Sequence, residues 1–213
     1  DAGAIVVTNT HIPETTSVTV EKAWNDADNQ DGIRPASVSV QLKAGGVDVG
    51  SPVVLNSGNS WTYTWSNLPK FAGTTTPIVY TVVETPVPTG YTVGYSVNDA
   101  GAIVVTNTHI PETTSVSVVK IWEDFQDLYG LRPLNISVQL LQDGIPYGAP
   151  VLLNDFNSWA HTWNDLPGKN IGVPYTYTVA EITDVPGYIT TYGMNDGIFT
   201  ITNTLKTDRK SVV

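Results

Sequence analysis

Apolar and polar residues alternate in short segments along the whole chain. These segments are rich in Val, Thr, Tyr and Ile, and clusters of Gly, Pro, Asn and Asp separate them. Alternation with a period of two between turn-forming residues is typical of β-strands that bury one face. In the first half of the chain the pattern predicts strands at 17–24, 37–43, 53–55, 60–65, 79–84, 91–97 and 102–108.

The sequence also repeats itself. Residues 1–18 recur letter for letter at 99–116, a shift of 98 positions, and later segments match as well. Internal repeats of this kind indicate tandem copies of one folded unit. The second copy predicts strands at 116–122, 135–141, 158–163, 175–181 and 199–203. We therefore expect an all-β protein of two tandem units of about 95 residues, each an immunoglobulin-like β-sandwich of about seven strands.

The repeat suggests where the units begin and end. We expect the first sandwich at 17–110, the second at 111–207 and a tail at 208–213. Residues 1–16 match the last strand of a unit plus a linker, so we expect the chain to be a piece of a longer array. Between the units, residues 109–115 (HIPETTS) lack alternation, which predicts a short linker.

Three polar residues in each unit fall in phase with apolar residues and are therefore expected to point inward. One is a lysine in the first strand, one a glutamate in the strand that ends YTVVE or YTVAE, and one an asparagine in the last strand. They are Lys22, Glu84 and Asn107 in the first unit, and Lys120, Glu181 and Asn203 in the second.

Three interpretations of these residues stay open at this point. The residues could lie at strand ends and rims, where the lysine reaches solvent. They could form a buried ion pair bridged by the asparagine. The third is a spontaneous amide between the lysine amine and the asparagine side chain. Burial favours the neutral amine and the protonated acid, and such an acid can relay a proton to the departing ammonia.

Composition and charge exclude several classes of protein. Twenty acidic against ten basic residues give a net charge of -10 and a pI near 4.5, which opposes binding to nucleic acid or an anionic membrane. The chain contains no cysteine, so disulfides and thiolate sites are excluded. No apolar run approaches the roughly 20 residues that span a bilayer, which predicts a chain without membrane insertion.

Other candidate sites are weaker. The acidic segment 26–32 (DADNQDG) departs from calcium-loop spacing and predicts a solvated turn. The aromatic row Trp61, Tyr63 and Trp65 could stack on a sugar, but its period of two favours core packing. No pair of histidines has metal-ligand spacing, and no nucleophile elbow or phosphate loop occurs. We therefore expect no metal, no cofactor and no turnover of an external substrate.

Several motifs together resemble one known family. Each unit has a K-x-W near its start, an R-P pair after an acidic turn, N-S-W-x-x-T-W-x-x-L-P, Y-T-V-x-E, a V-P-x-G-Y or V-P-G-Y segment and a final T-N-T. In combination these motifs are similar to the Cna B-type repeats of Gram-positive collagen adhesins, over nearly the full chain. The resemblance implies an immunoglobulin-like, prealbumin-like β-sandwich.

The resemblance also implies an intramolecular isopeptide bond promoted by an acidic residue. Transferred by position, the bond joins Lys22 to Asn107 with Glu84 assisting, and Lys120 to Asn203 with Glu181 assisting. The glutamates would act once, on their own chain, so the protein is not expected to be a turnover enzyme.

In the family such repeats stand between a ligand-binding region and a wall anchor. The resemblance thus implies an extracellular, wall-attached stalk whose partners are neighbouring repeats, with host matrix or glycan bound by flanking regions. Two alternatives remain: a module that itself binds matrix or glycan through its loops or Trp row, and a pilin-like subunit. The segment LKTDRKSVV at the end contains no sorting motif, so this sequence does not reveal an anchor.

Overall fold

The structure is a computed structural model that describes residues 3–73 and 75–206. These residues form two compact units, which divide after Ile110, and the short segment Gln30–Gly32 groups with the second unit. Among the described residues, no helix has the length and apolar character needed to cross a membrane.

Each unit consists almost entirely of β-strands. The first contains β1 (Thr15–Asn25), β2 (Ser37–Ala44), β3 (Val47–Asp48), β4 (Val53–Asn56), β5 (Thr62–Pro69), β6 (Phe71–Ala72), β7 (Thr76–Pro77), β8 (Tyr80–Glu84), β9 (Thr92–Val97) and β10 (Ile103–Thr108). The second contains β11 (Thr113–Glu123), β12 (Ile136–Gln142), β13 (Ile145–Pro146), β14 (Val151–Leu153), β15 (Ala160–Pro167), β16 (Lys169–Asn170), β17 (Val173–Pro174), β18 (Tyr177–Glu181), β19 (Tyr188–Asn195) and β20 (Ile198–Leu205). A short 3₁₀ turn follows β4 and β14, at Ser57–Asn59 and Asp155–Asn157.

Two four-stranded sheets face each other in each unit. In the first unit one sheet has the order β5-β1-β10-β9, and in the other β2 pairs with β3 and β4 on one side and β8 on the other. The second unit repeats this arrangement with β15-β11-β20-β19 and with β12 at the centre of the opposite sheet. The first and last strands, β1 and β10, are parallel neighbours, as are β11 and β20. This pairing places the first and last strands of each unit side by side, running in the same direction.

The core lies between the two sheets and follows the predicted alternation. In β1, for example, Val20 is fully buried, while Thr19 and Glu21 lie on the other face. The fully buried side chains are mostly Val, Leu and Ile. In the first unit the buried cluster consists of Val20, Val38, Val40, Leu42, Leu55, Leu68, Val82 and Val105. Burial of such side chains contributes about 1.5–3 kcal/mol each.

The structure confirms the all-β, immunoglobulin-like sandwich in both units and the seven strands predicted for the first. The prediction missed the two-residue hairpins, such as β6–β7, because two residues are too few to show alternation. The linker prediction is wrong from Thr113 onward, where β11 already begins. A β-bulge between Thr114 and Val116 interrupts the period of two there, so the start of the strand is not visible as alternation.

The structure describes most of the segment before β1 but not the predicted tail. Residues 3–10, which repeat the sequence of β10 and its preceding turn, are exposed and form no strand. The predicted tail at 208–213 lies outside the described residues.

Candidate functional site

Lysine and asparagine come from adjacent strands of one sheet. In the register of β1 and β10, Lys22 is opposite Val105 and Trp24 is opposite Asn107. These four side chains all point to the core face. Lys22 therefore lies diagonally across from Asn107, two residues before the position directly opposite it. The Lys22 ammonium donates to the carbonyl oxygens of Ala23 at 2.7 Å and Val105 at 3.2 Å. Both acceptors are backbone groups at the centre of the sheet, so the amine is held inside the sandwich.

The glutamate reaches the same place from the opposite sheet. Glu84 is the last residue of β8, which pairs with β2. Its Oε1 accepts a hydrogen bond of 3.0 Å from Nδ2 of Asn107. Lys22, Glu84 and Asn107 are 8%, 2% and 0% exposed. The three polar side chains therefore meet in the core.

The second unit repeats this arrangement. The Lys120 ammonium donates to the backbone carbonyls of Ile121 and Ile201, and Asn203 Nδ2 donates to Glu181 Oε1 at 3.0 Å. Here the ammonium nitrogen of Lys120 also lies 3.6 Å from Oε2 of Glu181. One carboxylate thus faces the amine with one oxygen and the carboxamide nitrogen with the other.

Burial changes the protonation of these groups. Removal from water favours the neutral form of an amine and lowers the pKa of Lys22 and of Lys120 to about 8, although the neighbouring glutamate charge opposes the change. Burial also raises the pKa of Glu84, against the hydrogen bond from Asn107 and the charge of Lys22. A neutral amine is the nucleophilic form of lysine, so these shifts favour attack on a carbonyl carbon.

Several polar atoms of the cluster have no hydrogen-bond partner among the described residues. These buried atoms are Glu84 Oε2, Asn107 Oδ1 and Trp24 Nε1 in the first unit, and Glu181 Oε2, Asn203 Oδ1 and Trp122 Nε1 in the second. Buried polar groups are usually satisfied, and each one left unpaired costs about 1–3 kcal/mol. The same three atom types are unsatisfied in both units, which distinguishes the cluster from a complete structural network.

A tyrosine from the neighbouring sheet holds the glutamate in position. Glu84 lies on the edge strand β8, and its backbone N–H donates to the hydroxyl of Tyr95 on β9 at 3.0 Å. Glu181 and Tyr192 make the same contact at 3.3 Å. Sequence reasoning missed both tyrosines, because nothing in a strand pattern shows which side chain crosses between two sheets.

Trp24 connects Lys22 with a second polar group, which consists of Asp26, Arg34 and Tyr91. The Lys22 ammonium lies 3.9 Å from the centroid of the Trp24 ring, which also packs edge-on against Trp61 and Tyr91. Beside this ring, Asp26 accepts from the Arg34 guanidinium, 2.9 Å from Nε, and from the Tyr91 hydroxyl at 2.8 Å.

The prediction of a solvated acidic turn is wrong for Asp26, which is buried. The carboxylate is tolerated there because Arg34 pairs with it through two nitrogens, and this hydrogen bonding lowers the pKa of Asp26 to about 2. The second unit has the same group in Asp124, Arg132 and Tyr188 around Trp122. The aspartate two residues after the tryptophan, the R-P pair and the later G-Y are common to both copies, so the repeat itself carried this signal.

The predicted aromatic row lies only partly in the core. Trp61, just before β5, and Trp65, on β5, pack against the core of the first unit, whereas Tyr63 on β5 is exposed. Their counterparts Trp159 and Trp163 pack against the second core. Among the described residues, no three His, Asp or Glu side chains are arranged to hold a metal ion.

Comparison with known proteins identifies relatives. The sequence model of the Cna protein B-type domain matches residues 18–108 and 116–204. The collagen adhesin of Staphylococcus aureus is 41% identical over all 213 residues, and the chain spans 17% of the length of that relative.

Two solved structures of proteins from the same organism are also similar to this chain. The single B repeat unit B1 of its collagen binding surface protein is 41% identical, with a TM-score of 0.44 over 91% of this chain and 100% of that one. The two-repeat unit B1B2 is 28% identical, with a TM-score of 0.49 over 90% of this chain and 76% of that one. The two family matches cover most of the chain. The protein therefore belongs to the Cna B-type domain family, as two tandem copies of the domain.

Proposed function

We propose that each unit is a stiff spacer closed by an amide bond between its first and last strands. The bonds join Lys22 to Asn107 and Lys120 to Asn203, and Glu84 and Glu181 assist in forming them. The observation that carries the proposal is the glutamate carboxyl group that contacts the asparagine nitrogen in both units, with its second oxygen 3.6 Å from the lysine nitrogen in the second.

The contacts support a balanced reaction in which the carboxylate moves protons. The lysine ammonium first gives a proton to Oε2, which leaves a neutral amine beside a carboxylic acid. The amine nitrogen then attacks Cγ of the asparagine, and the acid protonates Nδ2. As the bond between Cγ and Nδ2 breaks, ammonia leaves and the carboxylate takes the extra proton from the new amide nitrogen. The products are one amide, one ammonia molecule and a neutral acid.

The amide explains the cluster better than a permanent ion pair does. A buried ion pair is tolerated when its remaining polar atoms are hydrogen-bonded. Here one glutamate oxygen and the asparagine oxygen have no hydrogen bond in either unit. Formation of the amide removes both charges from the core, so the cost of burying them is no longer present.

The position of the bond supports a mechanical role. In the first unit it would close a loop of about 86 residues between the first and last strands. Chain entropy then predicts about 4–5 kcal/mol of stabilisation. When the chain ends are pulled, force enters on β1 and leaves on β10, so a covalent bond between these neighbours carries the load past both sheets.

The relatives support a place on the cell surface. The curated relative is named a collagen adhesin, and this chain corresponds to 17% of its length. We propose that the units belong to an extracellular, wall-attached adhesin, as stalk repeats that contact neighbouring repeats. Host matrix or glycan would then be bound by regions outside this sequence, and the units would need no cofactor.

Single-molecule pulling tests the mechanical role. The chain is held at its two ends and compared with Asn203→Ala, which lacks the electrophile of the second unit. We expect the variant alone to release the length of residues 120–203, roughly 280–300 Å when extended. The exposed Asn9→Ala is the matched control and should behave like the unaltered chain. Release of the full length by the unaltered chain would contradict the proposal.

A further inference from the structure

An unpaired donor and an unpaired acceptor lie on neighbouring strands beside the reacting groups. The indole Nε1 of Trp24 and the Oδ1 of Asn107 are both buried without a partner, and the two residues are directly opposite each other in β1 and β10. Trp122 and Asn203 have the same register in β11 and β20, and the same two atoms lack partners. The same two atoms thus lack partners in both copies of the repeat.

The tryptophan already touches the reacting nitrogen. Its ring centroid is 3.9 Å from the amine nitrogen of Lys22 and 4.2 Å from that of Lys120 in the second unit. Adjacent strands are about 4.8 Å apart, and side chains at opposed positions point to the same face. The indole is therefore next to the lysine on its own strand and next to the asparagine on the neighbouring strand.

The proposed reaction needs a donor where this indole lies. Attack on Cγ places negative charge on Oδ1 of the asparagine. The glutamate does not meet that charge, because its Oε1 faces Nδ2, and Oε2 of Glu181 faces the lysine nitrogen. A buried oxyanion without a donor raises the barrier, and one preorganised donor typically contributes 10²–10³-fold in rate.

We propose that the indole N–H groups of Trp24 and Trp122 stabilise this oxyanion and afterwards bind the oxygen of the product amide. This role rests on the proposed isopeptide bond and adds a second catalytic group to each unit. The glutamate moves protons between the two nitrogens, while the tryptophan binds the oxygen. The product then satisfies the two atoms that have no partner before the reaction.

The test follows bond formation in the full chain with Trp122→Phe. Phenylalanine keeps an aromatic ring under the Lys120 amine but lacks the N–H donor. The protein is kept in denaturant from its synthesis onward, so that no bond forms before folding. It is then diluted into folding buffer, and samples are quenched with acid at intervals and digested. Mass spectrometry then counts the Lys120–Asn203 and Lys22–Asn107 linked peptides separately. We expect bond formation in the second unit to slow by about 10²–10³-fold, while the first unit keeps its rate as an internal reference.

A matched control separates catalysis from packing. Trp159 packs edge-on against Trp122 with ring centroids 5.2 Å apart, but its own N–H donates to Asp155. Trp159→Phe therefore removes an indole from the same cluster without removing the proposed donor, and we expect a rate close to that of the unaltered chain. Unfolding of both variants in a Glu181→Gln background, where no bond forms, shows whether the fold is equally stable.

A second measurement keeps Trp122 in place and detects the contact in the product directly. Hydrogen exchange of the indole N–H of Trp122 is compared between the bonded, unaltered chain and the folded Glu181→Gln variant, in which no bond forms. We expect slower exchange in the bonded unit, because the N–H then donates to the amide oxygen. Equal exchange in the two proteins would overturn the inference.

The outcomes distinguish this inference from the function on which it rests. An unaltered chain that never loses ammonia contradicts the isopeptide bond itself. Bond formation in the unaltered chain together with an unchanged rate in Trp122→Phe overturns only the role of the indole. Equal slowing in Trp122→Phe and Trp159→Phe also overturns it, because the effect would then come from packing.

Discussion

The amine nitrogen of Lys120 lies 3.6 Å from a carboxylate oxygen of Glu181, and the two side chains are 0% and 1% exposed. The other oxygen of the same carboxylate accepts from the Asn203 side chain. A charged pair this deep in a sandwich is costly unless it reacts or is fully hydrogen-bonded. The proposed amide bond removes this charged pair from the core.

Replacing the glutamate should abolish one bond and leave the other. Glu181→Gln keeps the size of the side chain but cannot move protons between the two nitrogens. We expect the variant to retain one more ammonia than the unaltered chain, with the Lys22–Asn107 bond intact, as measured by intact mass and by linked peptides. Glu123→Gln, which changes an exposed carboxylate of β11, is the control and should keep both bonds. A fully bonded Glu181→Gln would show that the carboxylate is not needed.

The rate of bond formation should depend on pH through the lysine. Burial holds the pKa of both lysines at about 8, and only the neutral amine attacks. In the proposed reaction the proton of the ammonium passes through the glutamate to the departing ammonia, so the rate requires that this proton is still present. We therefore expect a nearly constant rate between pH 6 and 7 and a fall as the pH rises through about 8. The measurement is refolding from denaturant at a series of pH values, with linked peptides counted over time. A rate that keeps rising with pH above 8 would contradict this proton relay.

An uncrosslinked unit should become more stable as the pH rises above 8. In Asn107→Ala the amine of Lys22 stays free, with a folded pKa of about 8 against an ordinary value of 10.5. Between these values the unfolded chain binds more protons, so the free energy of unfolding increases with pH. Denaturant unfolding at pH 8 to 10.5 measures this. The unaltered unit, in which the lysine is an amide, should lack the increase.

The pair of Asp26 and Arg34 should contribute to the stability of the first unit. Arg34→Gln leaves a buried carboxylate unpaired, and we expect a loss of about 2–3 kcal/mol, less than for a fully buried pair because Arg34 is partly exposed. Unfolding is measured in the Asn107→Ala background, so that the crosslink does not mask the change. Lys43→Gln, which breaks an exposed pair with Asp48, should cost about 1 kcal/mol or less.

The same pair should make the stability of the first unit depend on pH in the acid range. The hydrogen bonds from Arg34 and Tyr91 keep the pKa of Asp26 at about 2, below its ordinary value of 3.8. Its contribution is therefore present above pH 3.8 and is lost as the pH falls toward 2. In Arg34→Gln this loss should be smaller, and an identical acid profile in both proteins would contradict the assignment.

Much of the fold could be predicted from the sequence because alternation reports burial directly. Val20, Lys22 and Trp24 were expected on one face, and the structure has them there. The start of β1 was missed because a bulge between Thr16 and Val18 breaks the period. Strand patterns are local, whereas the contact of Asp26 with Arg34 and Tyr91 depends on how a turn and a distant loop meet. Such contacts require the three-dimensional structure.

The candidate site, too, could be predicted only in part from the sequence. The inward lysine, glutamate and asparagine stand out because each interrupts an apolar face. Tyr95 and the indole N–H of Trp24 do not, because an aromatic residue fits a buried face and its polar atom leaves no trace in the pattern. Their roles depend on register and on the edge of a sheet, which only the fold supplies.

The intact mass of the folded, purified chain tests the central claim most directly. Two Lys–Asn bonds predict a mass lower than the sequence mass by two ammonia molecules, with linked peptides that pair Lys22 with Asn107 and Lys120 with Asn203. The exposed Asn9 should stay a free carboxamide, because it precedes β1 and is not part of a strand. The unmodified sequence mass would contradict the account.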